Sequence, residues 1–305
     1  MFSLNIKTTP SPLQPVLDLL DSVILGKSEQ VRLALACVLA KGHLLVEDVP
    51  GVGKTTLVKS LAKVLGLDRK RVHFTNDLLP ADILGTAVFD PAQQKFNFHA
   101  GPIFTQVLIA DELNRGTPRT QSAFLQAMEE GRVSMDGITR SLPQPFFVVA
   151  TQNPCEQVGT YALPESQLDR FLMRIHMGFP SPQFEMELLK GNRKTEEQIA
   201  ALLNGEELLK LQRQVDQLHC SDQVLKYVQR ILQNSRQARA DDSGLSPRSG
   251  LSLLAASRAW AFLAGRDYVL PEDVQNVAPS VINHRMRSAS SLEKAKEFIL
   301  SVALE

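Results

Sequence analysis

The stretch EDVPGVGKTTL, residues 47–57, constrains what this chain can fold into more than any other. The apolar run HLLVE (43–47) leads into it, and the amphipathic run KTTLVKSLAKVLG (54–66) leaves it. That is a strand, a glycine-rich turn and a helix. Small residues in such a turn let backbone N–H groups close around phosphate oxygens. A lysine then reaches the β- and γ-phosphates, and a hydroxyl joins the Mg²⁺ shell. Gly51, Gly53, Lys54 and Thr55 fit those parts, and the helix they open turns its positive end toward the phosphates. Pro50, Val52 and Thr56 complete the expected nucleotide-binding loop. Asp48 stands where the general pattern has its first glycine. A glycine-rich turn with an incidental lysine is the competing reading, and the strand before and helix after weigh against it.

Further short apolar runs follow, VHFT (72–75), VLIAD (107–111) and FFVVATQ (146–152), with helical patterns such as TQSAFLQAMEEG (120–131) between them. Alternating strands and helices predict an α/β fold, a parallel sheet with helices on both faces. Helices are expected over 11–20 and from Ser28 or Glu29 to Gly42. Two segments interrupt the alternation. One is ILGTAVFDPAQQKFNF (83–98), with Asp90-Pro91 at a turn. The other is RVSMDGITRSL (132–142), with Asp136-Gly137 between short strands. Both read as projecting hairpins. Past Pro182 the β-rich runs stop and Leu, Gln, Glu and Ala recur at helical period. The expected organisation is a nucleotide-binding α/β core at 1–181 and a smaller all-helical domain at 182–305. The polar stretch RQARADDSGLSPRSG (236–250) is expected to be a loop joining two helices.

Composition sets limits on function. The 305 residues are 44% hydrophobic and carry 33 basic against 33 acidic side chains, so no global charge favours nucleic acid or an anionic membrane. No apolar run reaches the roughly 18 residues of a spanning helix, and the N-terminus lacks a signal-peptide pattern; a cytoplasmic protein without membrane insertion is expected. Cys37, Cys155 and Cys220 are scattered and read as small buried residues rather than redox or metal groups. His73, His99 and His176 do not cluster in sequence. Trp260 and most phenylalanines are expected in the core, and Glu129 and Glu130 on a solvated helix end, with contact to arginines next door as the alternative.

Chemistry is also carried by VLIADELNR (107–115), an apolar strand ending in adjacent carboxylates. Asp111 would support Mg²⁺, and Glu112 would polarise an attacking water. In VVATQNP (148–154), the Asn153 amide can position that water, although Asn-Pro also makes turns. Arg170 in LPESQLDRFL (163–172) reads in isolation as half of a surface ion pair with Asp169, and Arg248 in LSPRSGLSLL (245–254) as a solvated arginine at a helix start.

Taken in order, these motifs resemble the MoxR family of AAA+ ATPases, in the clade with magnesium chelatase and the MCM helicases. The resemblance runs from about residue 18 to 300. In that family the phosphate loop commonly reads like EDVPGVGKT, so Asp48 is no anomaly. The resemblance implies Asp111 and Glu112 as Walker B, Asn153 as sensor 1, Arg170 as the arginine finger and Arg248 as sensor 2, acting within its own subunit or on a neighbour. It implies that ILGKSEQ (24–30) packs on adenine, with Ile24, Leu25 and Gly26 nearest the base. It further implies ATP and Mg²⁺ as cofactors, a hexameric ring, and a von Willebrand factor A domain protein as partner in chaperone-like remodelling. The alternatives are a nucleic-acid motor, a nucleotide-gated scaffold with little turnover, and a chelatase-type subunit. Nucleic acid is not expected, because the hairpin at 132–142 offers Arg132 and Arg140 against Asp136 and no aromatic for stacking.

Overall fold

The apolar runs become one parallel sheet, and the polar interruptions become hairpins outside it. The structure, a computed structural model, describes residues 11–153, 159–237 and 244–303. Helices α1 (Gln14–Asp21) and α2 (Ser28–Leu39) precede β1 (Leu44–Glu47) and α3 (Lys54–Val64). Next come β2 (Arg69–His73), the short α4 (Pro80–Leu84), the paired β3 (Gly85–Asp90) and β4 (Lys95–Ala100), and β5 (Val107–Asp111). They are followed by α5 (Pro118–Glu130), the paired β6 (Arg132–Met135) and β7 (Ile138–Ser141), β8 (Phe147–Gln152), α6 (Glu165–Leu168) and β9 (Met173–Ile175). The remaining helices are α7 (Pro182–Leu189), α8 (Gly205–Asp216), α9 (Asp222–Gln237), α10 (Pro247–Leu263), α11 (Pro271–Ile282) and α12 (Leu292–Ser301).

The sheet has five strands in the order β2-β5-β8-β1-β9, and each neighbouring pair is parallel. β5 and β8 are buried along their whole length, as central strands covered on both faces must be. Side chains alternate across the sheet, so successive residues feed two cores. Leu44, Val46, Ile109 and Val149 join the core beneath α1, α2 and α3, which continues into the C-terminal helices. Leu45, Leu108, Ala110, Val148 and Ala150 face the other way, against Phe124 of α5 and Phe171. The α/β class with helices on both faces and a helical lid is therefore the fold observed, and both predicted hairpins form as antiparallel pairs outside the main sheet.

Several elements differ from their sequence-based expectation. β2 starts three residues before VHFT, on the charged Arg69-Lys70-Arg71, because it is an edge strand with only Val72 buried. β9 is a fifth strand that the apolar runs do not announce; at three residues it is too short to show a period. The helix expected to present Arg170 ends at Leu168, so Asp169 and Arg170 lie in the turn before β9. Phe89, Phe96 and Phe179 are exposed rather than buried, and Trp260 is half-buried with the Arg32 guanidinium 4.6 Å from its ring centroid. Cys37 is fully buried, Cys220 is half-buried, and Cys155 and Pro154 lie outside the described residues.

Candidate nucleotide site

In the sheet order, β1, β8 and β5 are adjacent and parallel, so their carboxyl ends open on one edge. That edge is where an open α/β sheet takes ligands. The loop after β1, the Asp111-Glu112 pair ending β5 and Asn153 after β8 meet there.

The loop turns on Gly51 (φ 88°) and Gly53 (φ 92°), a left-handed backbone that side-chain-bearing residues rarely adopt. A Cβ built on either glycine would meet no atom within 4 Å, so the space over the loop is open. Gly53 precedes α3, whose N-terminus has no side-chain cap. Uncapped N–H groups at the start of an 11-residue helix are donors looking for an anion, and a phosphate chain fits them. Lys54 Nζ donates to the Asp48 carbonyl oxygen and, at 3.1 Å, to Asn153 Oδ1. Burial lowers the Lys54 pKa from its ordinary value, against the opposing pull of the Asp48, Asp111, Glu112 and Glu47 carboxylates. Asp48 has its own task. Its Oδ1 accepts from Val49 N–H at 2.8 Å and its Oδ2 from Gly178 N–H at 2.5 Å, which ties the loop to the segment after β9. A glycine at 48 would lose both bonds.

Asp111 is buried. Its Oδ2 accepts from Arg71 Nε at 2.5 Å and its Oδ1 from the Thr151 hydroxyl at 3.2 Å. Glu112 sits at φ 54°, an uncommon backbone for a residue other than glycine, and its N–H donates to Thr151 Oγ1 at 3.0 Å. Its carboxylate takes three partners: Asn153 Nδ2 at 3.2 Å, Arg115 Nε at 2.9 Å and His73 Nε2 at 3.4 Å. Asn153 is thus hydrogen-bonded to both Lys54 and Glu112. Thr55 and Asp111 offer one hydroxyl and one carboxylate, a donor set that suits Mg²⁺, which keeps most of its shell for water and phosphate. The described residues contain no cluster of three or more His, Cys, Asp or Glu able to hold a metal by themselves.

Beside the loop lies a cavity of about 460 Å³. Ile24, Leu25, Pro50, Gly51, Val52, Gly53 and Thr56 line it, together with Phe179, Leu188, Leu189, Glu185 and Arg193. Gly26 does not line it. At φ 70° a Cβ there would sit 2.3 Å from the Phe184 ring, so Gly26 serves the close approach of α7 to the loop before α2. The α7 side of this cavity is the part that sequence reading missed.

Arg170 and Arg248 are elsewhere. They share a separate cavity of about 320 Å³ with Lys41, Gly42, His43, Glu129, Asp169 and Arg285. Gly42 and His43 precede β1, whereas the phosphate loop follows it, so the two cavities lie at opposite ends of that strand. Arg170 Nη1 lies 2.9 Å from Glu129 Oε2, and Arg248 Nη2 lies 2.7 Å from Glu129 Oε1. Glu129, expected on a solvated face, is instead the carboxylate between the two arginines. Asp169 does not pair with Arg170; it takes Arg285 at 2.7 Å and Arg248 at 3.8 Å.

Fold and site together define a P-loop ATPase of the AAA class. The model of the ATPase family associated with various cellular activities (AAA) matches residues 43–173, and the AAA lid domain matches 233–300. The Bacillus subtilis protein YeaC is 46% identical over 269 residues, covering 88% of this chain and 84% of YeaC. Chaperone MoxR1 of Mycobacterium tuberculosis is 41% identical over 273 residues, covering 87% of this chain and 72% of that protein. A crystal structure of a Cytophaga hutchinsonii protein superposes with a TM-score of 0.85 at 35% identity, over 95% of this chain and 94% of the other. The chain belongs to the MoxR family of AAA+ ATPases.

Proposed function

We propose that this protein binds and hydrolyses Mg·ATP in a site that one subunit begins and its neighbour completes, within a ring of six. The observation that carries this reading is the separation of the two cavities along β1. Lys54, Asp111, Glu112 and Asn153 gather at its carboxyl end, and Arg170 and Arg248 at its amino end. A strand of four residues spans about 13 Å at roughly 3.3 Å per residue, beyond the reach of an arginine side chain to its own subunit's phosphates. A head-to-tail contact brings the amino-end cavity of one copy onto the loop of the next, and repetition of such a contact closes a ring. Arg248 shares a carboxylate with Arg170, which favours action of both on the neighbour.

In this reading the loop N–H groups and Lys54 hold the phosphates, and Thr55 and Asp111 hold Mg²⁺. Glu112 takes the proton of the attacking water, and Asn153 aims that water. Bound metal supplies charge neutralisation on the β- and γ-phosphate oxygens. Arg170 stabilises charge developing on the transferred phosphoryl group. Ile24 and Leu25 face the base with Phe179 and Leu189 opposite.

The work done with ATP is proposed to be remodelling of a protein, with a von Willebrand factor A domain protein as partner. The β3–β4 hairpin supports a polypeptide client. Phe89 and Phe96 stand exposed on it, ring centroids 5.3 Å apart, and Arg140 of the second hairpin covers Phe98 at 3.9 Å. The hairpin does carry aromatics that could stack on bases, but Asp90 balances Lys95 on its strands, and a phosphate backbone demands a surplus of cations. If the site is shared between copies, turnover per subunit rises with protein concentration in step with ring assembly followed by native mass spectrometry. Turnover per subunit that stays constant down to fully monomeric protein contradicts the reading.

A further inference from the structure

We infer that Glu129 is a positioning residue of the half-site that acts on the neighbouring subunit, setting the spacing and direction of Arg170 and Arg248 through one carboxylate. The inference rests on the proposed trans role of Arg170. Glu129 is the penultimate residue of α5, and Gly131 follows the helix at φ 62°. The helix end is anchored next to it, because the Met128 carbonyl oxygen accepts from the His43 ring at 3.2 Å. From that fixed point each oxygen takes one guanidinium, Arg170 from the turn before β9 and Arg248 from the first turn of α10. Two guanidinium groups brought to one anion repel each other, and a carboxylate between them offsets that repulsion.

The other charged and titratable groups around this cavity do not supply the same bridge. Asp169 is engaged by Arg285, whose guanidinium also donates to the carbonyl oxygens of Phe171 and Leu172. Lys41 pairs with Asp216. His43 is occupied by the Val148 N–H and the Met128 carbonyl oxygen. Arg170 Nε and Nη1 are both buried without a hydrogen-bond partner among the described residues, so the Nη1–Glu129 contact is an ion pair rather than an aligned hydrogen bond and the finger retains unused donors. Half-exposed ion pairs of this sort contribute little to stability. The consequence of the bridge is therefore geometric: it links the arginine borne by the sheet region to the arginine borne by α10, so both approach a neighbour's γ-phosphate as one unit. A misplacement of about 1 Å in such a group can cost up to about a hundredfold in rate.

The test is the full-length protein with Glu129→Gln, which keeps the shape and removes the charge. The expected result is a fall in kcat of between roughly tenfold and a hundredfold, with ATP affinity and melting temperature unchanged. Glu129→Asp, which keeps the charge on a shorter arm, should recover part of kcat. Mixing Glu129→Gln with Lys54→Ala should recover hydrolysis beyond the sum of the two, since an intact loop then meets an intact Arg-Glu-Arg set. Normal kcat in Glu129→Gln overturns the inference, as does weakened ATP binding or absence of recovery in mixed rings. Arg170→Ala run in parallel separates the two levels. An impaired Arg170→Ala beside a normal Glu129→Gln sinks the inference alone, whereas a fully active Arg170→Ala sinks the trans reading and the inference with it.

Discussion

Glu112 shows how the chain's own residues arrange the site. Its left-handed backbone turns the carboxylate off the end of β5, and Thr151 holds its N–H while Asn153, Arg115 and His73 surround its oxygens. Asp111, one residue earlier, is directed instead toward Arg71 and Thr151. Adjacent carboxylates therefore point to different partners, which suits the proposed division of tasks, metal support for Asp111 and water activation for Glu112. Glu112→Gln keeps the side chain's size and its hydrogen bond with Asn153 while removing the base. Bound ATP should be retained and steady-state hydrolysis should fall by about two to four orders of magnitude, the usual contribution of a general base. Filter binding together with a phosphate-release assay checks both halves. Residual turnover near that of the unmodified protein would assign the base to another group.

At the scale of elements, His43 joins three of them. It precedes β1, its Nδ1 accepts from Val148 N–H of β8 at 3.1 Å, and its Nε2 donates to the Met128 carbonyl oxygen of α5 at 3.2 Å. Burial lowers its pKa from 6.5 to about 4. The folded protein thus holds His43 neutral in a pH range where the unfolded chain protonates it. Stability from this group is complete above pH 6.5 and is lost as pH falls toward 4, by about 3 kcal/mol in all. His43→Gln should flatten the pH dependence of the urea midpoint in that window by one proton, and parallel curves for the two proteins would remove His43 from the account. The elements that sequence revealed are those whose signal is local. The phosphate loop, the ends of β5 and β8 and both hairpins each declare themselves within about a dozen residues. β2 was masked in part by Arg69-Lys70-Arg71 at a sheet edge, and β9 by its length. The α7 wall of the cavity beside the phosphate loop was illegible for another reason, and the Glu129 bridge could be no more than an alternative. Phe179 and Leu189 meet Ile24, and Glu129 meets Arg248, only after distant segments have packed, and no spacing in the chain encodes those meetings.

For the whole molecule, the two cavities lie at opposite ends of β1, and in the proposed reading this makes each subunit half of two active sites rather than the owner of one. Its loop-side cavity is lined largely by apolar side chains and its arginine-side cavity largely by charged ones, and the C-terminal helices contribute to the second through Arg248. The proposed arrangement would couple assembly to chemistry, because an isolated subunit would lack the guanidinium that stabilises the transition state, an effect worth about 10³–10⁵ in rate where an arginine finger has been measured. The most direct measurement is ATP hydrolysis by a mixture of Arg170→Ala and Lys54→Ala. The first variant keeps its loop and loses its finger; the second keeps its finger and loses its grip on the phosphates. Each alone should be nearly inactive, with ATP still bound by Arg170→Ala. Mixed rings, verified by native mass spectrometry, should regain hydrolysis above the sum of the two preparations, since some interfaces join an intact loop to an intact finger. Full activity of Arg170→Ala by itself would contradict a site shared between subunits.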